Sequence, residues 1–319
     1  MKEYPRILSS PFAEKLREYI QLMRSMGRCF RNEEYYLHTF DAFCLKRCHR
    51  GPLTQRLALD FAFADRNPGS PECARRYTTI RGFANYLSNY EPQTEQLDPH
   101  AVSYKRRRSP AYIYTDAEVR RLLKTVPRLR FSNPFRVITY QTMLGLIAST
   151  GLRVGEALRL DLGDVDLDAG LLWIRGTKFR KSRIVPIHPT ACDRLRTYLQ
   201  ARAAQGVAPT QSAFFLGGCD RRIQYGATNY IFAALLRKAG LKRAIGRKPR
   251  IHDLRHTFAV RRVLAWYREG ADVQAKLPLL ATYLGHVSYE TTAYYLNATG
   301  ELLAKAAERF EQNRSHAHD

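Results

Sequence analysis

The chain has too few acidic residues to balance its basic ones. Its 319 residues carry 52 lysines and arginines against 29 aspartates and glutamates, a formal charge of +23. No apolar run approaches the roughly 18 residues that a membrane helix needs; stretches such as 143–149 are far too short. No G-x-x-x-x-G-K-[ST] segment occurs, which excludes a P-loop motor on motif grounds. The six cysteines, Cys29, Cys44, Cys48, Cys73, Cys192 and Cys219, contain no C-x-x-C pair. Cys44, Cys48 and His49 cluster without a second ligand pair at zinc-finger spacing, so reduced thiols in helices are expected and no disulfide framework is implied. There is no internal repeat, and the first twelve residues contain no apolar core of a secretory signal.

What is abundant is arginine, which far outnumbers lysine and carries the planar fork that fits phosphate. Both halves of the chain are basic, so the charge belongs to a surface that surrounds a polyanion rather than to one tail. Nucleic acid is the partner this composition predicts. A soluble, cytoplasmic, nucleoid-associated protein with no membrane partner is expected.

The length suggests two domains. Residues 1–98 read as four helices. Ser10-Pro11 announces the first, with Phe12, Leu16, Tyr19, Ile20 and Met23 as its apolar stripe. The second runs from about Asn32 to Lys46, and a short third follows Thr54. The fourth starts at Ser70-Pro71 and turns Arg75, Arg76 and Arg81 to its other face, where phosphate contacts are expected. Residues 99–112, with Pro99, Pro110 and the run Lys105-Arg106-Arg107-Arg108, read as a basic linker strapped across the DNA backbone. Residues 113–319 open with a capping box from Thr115 to Glu118 and a long apolar helix ending at Thr150-Gly151. Leu171–Arg175 and Arg183–Ile187 then read as two strands, and helices follow to the C-terminus. The fold class is mainly α with one small antiparallel β-sheet.

Four short segments carry candidate chemistry: Thr150-Gly151-Leu152-Arg153, Gly176-Thr177-Lys178, His252-Asp253-Leu254-Arg255-His256, and Leu284-Gly285-His286 leading to Thr291-Thr292-Ala293-Tyr294-Tyr295. In this order they resemble the phage-integrase type tyrosine recombinases over essentially the whole chain. The matching positions are Arg153 after T-G-L, Lys178 ahead of the R-x-V-P at Arg183–Pro186, and His252 and Arg255 as H-x-x-R. His286 in L-G-H and Tyr295 nine residues later complete the set. Tyr294 sits beside the expected nucleophile, and the segment 257–285 is long, with an extra Ala275-Lys276-Leu277-Pro278.

The resemblance implies a helical core-binding domain and a catalytic domain forming a C-shaped clamp on double-stranded DNA, dimeric on each site and tetrameric at synapsis. It implies a site-specific recombinase or integrase, of a mobile element, acting through a 3′-phosphotyrosine. The chemistry is consistent with those roles. Arg153 and Arg255 stay charged and can stabilise the reacting phosphate. Tyr295 is a covalent nucleophile whose proton His252 can accept. Lys178 can protonate the departing 5′ oxygen, and His286 can donate to a phosphate oxygen. Glu156 is expected to hold an arginine by an ion pair. Because the phosphotyrosine conserves the bond energy, no cofactor, neither ATP nor metal, is required. Two other classes share these residues: a type IB-like topoisomerase and a catalytically idle DNA-binding accessory protein. A zinc site on His252 and His256, spaced i, i+4, is disfavoured because Asp253 replaces the catalytic glutamate and Arg255 puts a cation beside the metal.

Overall fold

The computed structural model describes residues 7–28, 30–102, 111–176, 182–206, 211–218, 221–241 and 248–286. The chain divides into two compact units, residues 1–108 and 109–319.

The first unit packs four helices around one core: α1 (Ala13–Ser25), α2 (Arg31–Lys46), α3 (Gln55–Phe63) and α4 (Pro71–Leu87). Leu16, Leu37, Phe40, Phe83 and Leu87 are fully buried at its centre. α1 begins two residues beyond the Ser10-Pro11 signal. The buried carboxylate of Asp41 draws in the backbone N–H groups of Ser9 and Ser10, both at 3.0 Å, which holds those residues outside the helix. All three signals accept from the turn that follows: Ser10 Oγ from the Phe12 N–H, Thr54 Oγ1 from the Leu57 N–H and Ser70 Oγ from the Glu72 N–H.

Arg76 departs from expectation. It lies not on the outer face of α4 but in the core, 7% exposed. Its Nη1 donates to the carbonyls of Phe61 at 3.2 Å and Ala64 at 3.0 Å. Phe61 O already accepts from the Ala64 N–H, and the carbonyls at the end of α3 carry partial negative charge, so a cation folded over them is stabilised. Arg75 is exposed and Arg81 half-buried. Lys105, Arg106, Arg107 and Arg108 lie outside the described residues.

In the second unit, α5 (Asp116–Thr125) starts at the Thr115–Glu118 capping box, with both of its hydrogen bonds present. α6 (Phe135–Thr150) is buried on most sides, with Met143 and Ile147 fully enclosed. It stops at Gly151, whose φ of 66° only glycine adopts without strain. A short helix α7 (Val154–Arg159) and a three-stranded antiparallel sheet follow: β1 (Val165–Asp166), β2 (Leu171–Ile174) and β3 (Arg183–Pro186), in the order β1-β2-β3. Leu172 and Val185 pair on the buried face, whereas Ile184, opposite Trp173, points outward. β1 leaves no trace in the sequence, because two residues cannot display an alternating pattern. Helices α8 (Pro189–Ala203), α9 (Tyr225–Lys238), α10 (Asp253–Arg268) and α11 (Val273–Leu284) complete the described residues.

The extra Ala275–Pro278 segment lies inside α11, not in a loop. Asp272 caps this helix by accepting from the Gln274 and Ala275 N–H groups. Pro278 continues it, donating no hydrogen bond of its own. No described helix is long and apolar enough to cross a membrane.

Candidate active site

Five of the residues singled out in the sequence converge on one turn, the C-terminal end of α11. A helix end leaves carbonyls without partners and concentrates negative potential. Three consecutive carbonyls there each accept from a different arginine. Arg183 Nε donates to Tyr283 O at 2.7 Å, Arg255 Nη2 to Leu284 O at 2.6 Å, and Arg153 Nη2 to Gly285 O at 2.9 Å. His286 follows directly. Gly285, at φ 67°, makes the turn, and a Cβ there would lie 2.9 Å from Arg183 Nη1.

Each arginine arrives by a different route. Arg153 is the N-cap of α7, placed by the left-handed turn at Gly151. Its Nη1 donates to Glu156 Oε1 at 2.7 Å, and its backbone N–H to Glu156 Oε2 at 3.0 Å. Arg255 projects from the first turn of α10 and is 1% exposed, with Nη1 on the carbonyl of Gly151 at 2.8 Å. Arg183 comes from the buried face of β3 and grips Glu156 with both ends of its fork, Nη1 to Oε1 at 3.0 Å and Nη2 to Oε2 at 2.8 Å.

Glu156 is thus the expected ion-pairing carboxylate, serving two arginines rather than one. Burial opposes its charge, but the hydrogen bonds and charges of Arg183 and Arg153 outweigh that cost and hold its pKa down to about 2. In the sequence, Arg183 stands out only as the first letter of R-x-V-P. A stronger signal is nevertheless there: on a strand whose Val185 faces the core, Arg183 shares that face, and a buried cation requires a buried carboxylate.

The histidines are neutral near pH 7. Burial, then the charges of neighbouring arginines and of His256, lowers His252 to about 4; burial with Arg255 and Arg153 lowers His286 to about 3. His256 is lowered likewise, to about 4, and its ring meets that of His252 edge-on at 4.9 Å. Arg153 and His252 line an open cleft of about 570 Å³ with Gly155, Arg250, Tyr225 and Asn229, the last two from the exposed face of α9. A neutral imidazole beside a guanidinium fork can accept a proton while the fork holds an anion. Lys178 and Tyr295 lie outside the described residues. Among those described, no group of three or more His, Cys, Asp or Glu could hold a metal ion.

The chain is a tyrosine recombinase of the phage integrase family, whose model matches residues 113–301, the stretch that holds the three-stranded sheet and this arginine–histidine cluster. The chain is similar along nearly its whole length to the protein y4rE of Sinorhizobium fredii, named an integrase/recombinase: 41% identical, covering 93% of this chain and 94% of the relative. The tyrosine recombinase XerA of Thermococcus kodakarensis is 33% identical over 69% of this chain and 68% of its own. Among solved structures, the Tn1549 transposon integrase in complex with transposon right end DNA shares the fold at a TM-score of 0.65 and 16% identity, over 92% of this chain and 98% of that one. The recombinase XerH bound to its palindromic difH substrate does so at 0.64 and 18%, over 93% and 84%.

Proposed function

We propose that the chain cuts and rejoins double-stranded DNA at specific sites for a mobile element, through a covalent 3′-phosphotyrosine on Tyr295. The observation that carries this reading is the convergence of Arg153, Arg255 and His286 at one turn, with His252 lining the same cleft as Arg153, a cationic cradle with neutral imidazoles beside it. In the step proposed, Tyr295 Oη attacks the scissile phosphorus and its proton passes to His252. Arg153 and Arg255 neutralise the charge that builds on the non-bridging oxygens, and His286 donates to one of them. The P–O5′ bond breaks, and Lys178 supplies the proton that the departing 5′ oxygen requires. Attack by a 5′-hydroxyl on the phosphotyrosine reverses these transfers and rejoins a strand.

Residues 1–98 supply a DNA-binding lobe, 99–112 the basic linker and 113–319 the chemistry. Copies pair on each site and meet as a tetramer at synapsis, in the nucleoid. The mobile-element part of the reading leans on the word integrase in the names of y4rE and y4rB, which match 93% and 95% of the chain, against 69–77% for Xer relatives. The test selects duplexes from a random pool with the purified protein, then places two copies of the selected site in one supercoiled plasmid. Deletion or inversion between the copies is expected. Relaxation without exchange would make the protein a topoisomerase, and neither product an accessory binder.

A further inference from the structure

We infer that Arg183 is a positioning residue of the strand-cleavage reaction, holding Arg153 and the turn before His286 in working geometry. The inference rests on the proposed cleavage chemistry but concerns a residue outside the expected catalytic set. Three donors of one side chain, only 10% exposed, are committed to two elements. Two reach the carboxylate of Glu156, and the third reaches the Tyr283 carbonyl on the last turn of α11.

Both partners lead directly to catalytic groups. Glu156 orients Arg153 through its guanidinium and its backbone N–H. Tyr283 is three residues before His286, and its ring stacks on Phe258 of α10 at 5.6 Å. Arg183 therefore ties β3, α7 and α11 together at one point.

The charges give it a second task. Glu156 is 3% exposed and ionised, 2.7 Å from the Arg153 fork. With Arg153 as its only cationic partner, that carboxylate would compete with the DNA phosphate for the same guanidinium. Arg183 takes half of the carboxylate's hydrogen-bonding capacity and offsets its charge, leaving Arg153 with N–H groups for the phosphate. A lysine at 183 would restore the charge but could not span Glu156 and the Tyr283 carbonyl together.

The test compares full-length R183K and R183Q with the unaltered protein, using nicked duplexes selected by that protein from a random pool. Covalent adduct is followed in single turnover at saturating DNA, beside DNA affinity and amide hydrogen exchange without DNA. R183K is expected to form adduct about tenfold or more slowly, since small misplacements of positioned groups are costly. Its affinity should stay within about twofold, set mainly by the many phosphate contacts, and faster exchange should be confined to the end of α11 and to α7. R183Q, which restores neither fork nor charge, should be slower still. R183K adduct at the unaltered rate would overturn the inference, as would exchange loosened throughout the second unit, which would make Arg183 a general strut. Absence of adduct from the unaltered protein would refute the cleavage chemistry itself; the exchange data then still decide whether Arg183 holds the turn.

Discussion

Arg255 donates from Nη1 to the carbonyl of Gly151 at 2.8 Å, joining the H-x-x-R helix to the T-G-L-R turn 104 positions earlier. The bond is possible because Gly151 brings the chain round in the left-handed region against α10. The two arginines proposed to be catalytic are therefore not placed independently: Gly151 turns the chain into Arg153 and offers its carbonyl to Arg255.

Replacing that glycine should damage both. A Cβ at 151 would stand 2.5 Å from Phe258 Cδ1, at a φ that alanine adopts only with strain. G151A should lose about 2–5 kcal/mol of unfolding free energy, the sum of left-handed strain and overpacking. Urea denaturation measures it, and a variant as stable as the parent would show that the turn is not tightly packed.

Acid should destabilise the second unit over two overlapping windows. His252 and His286 titrate near 4 and 3 when folded and near 6.5 when not, so the unfolded chain takes up protons first as pH falls below 6.5. Stability is then lost by up to about 1.4 kcal/mol per pH unit for each proton. Glu156 has a folded pKa near 2 against an ordinary 4.5, so its contribution is intact above 4.5 and disappears between 4.5 and 2. Denaturation across pH 2–8 checks both. E156Q should flatten the limb below 4.5 and leave the one from 6.5 downward; if both limbs persist in E156Q, the lower one belongs to other groups.

Three arginines of α4 should behave oppositely on mutation. R76A should cost about 1–3 kcal/mol by leaving the Ala64 carbonyl without its side-chain donor and emptying a buried site, with DNA affinity unchanged where the protein is folded. R75A with R81A should leave melting unchanged but lower the salt dependence of DNA binding by about one counterion-release unit for each phosphate no longer neutralised. Neutralising Lys105–Arg108 should weaken binding to all sequences alike, read by titration against selected and random duplexes.

Much of this architecture is legible in the sequence because local chemistry announces it. Thr54, Ser70 and the Thr115–Glu118 box each name a helix start, and the apolar stripes of α1 and α4 name their buried faces. Gly151 and Gly285 end helices where left-handed turns are needed. What the sequence hides depends on distant partners. Asp41 anchors the chain ahead of α1 by accepting from the Ser9 and Ser10 N–H groups, 31–32 positions away. Arg76 reads as solvent-facing because nothing in α4 reveals that the carbonyls at the end of α3 lie above it. The site divides similarly: Arg153, His252, Arg255 and His286 sit in recognisable segments, while Arg183 gains its role only when β3 is laid against α7 and α11.

Lys178 is expected to act as the general acid. K178A should cleave ordinary DNA poorly, by about 10²–10⁴-fold, and recover on a substrate whose scissile 5′ bridge is sulfur, a leaving group that needs no proton. Single-turnover rates on the two substrates check it. Equal defects on both would remove Lys178 from the role and make Lys181 the next candidate.

The proposed chemistry turns on a covalent bond between Tyr295 and the 3′ phosphate of cut DNA. The decisive measurement is peptide mapping of the protein–DNA adduct trapped on a nicked duplex selected by the protein, in the unaltered chain, Y295F and Y294F. A nucleotide remnant is expected on Tyr295, with no adduct from Y295F, DNA binding retained, and an undiminished adduct from Y294F. A remnant on Tyr294, or adduct persisting in Y295F, would contradict that chemistry.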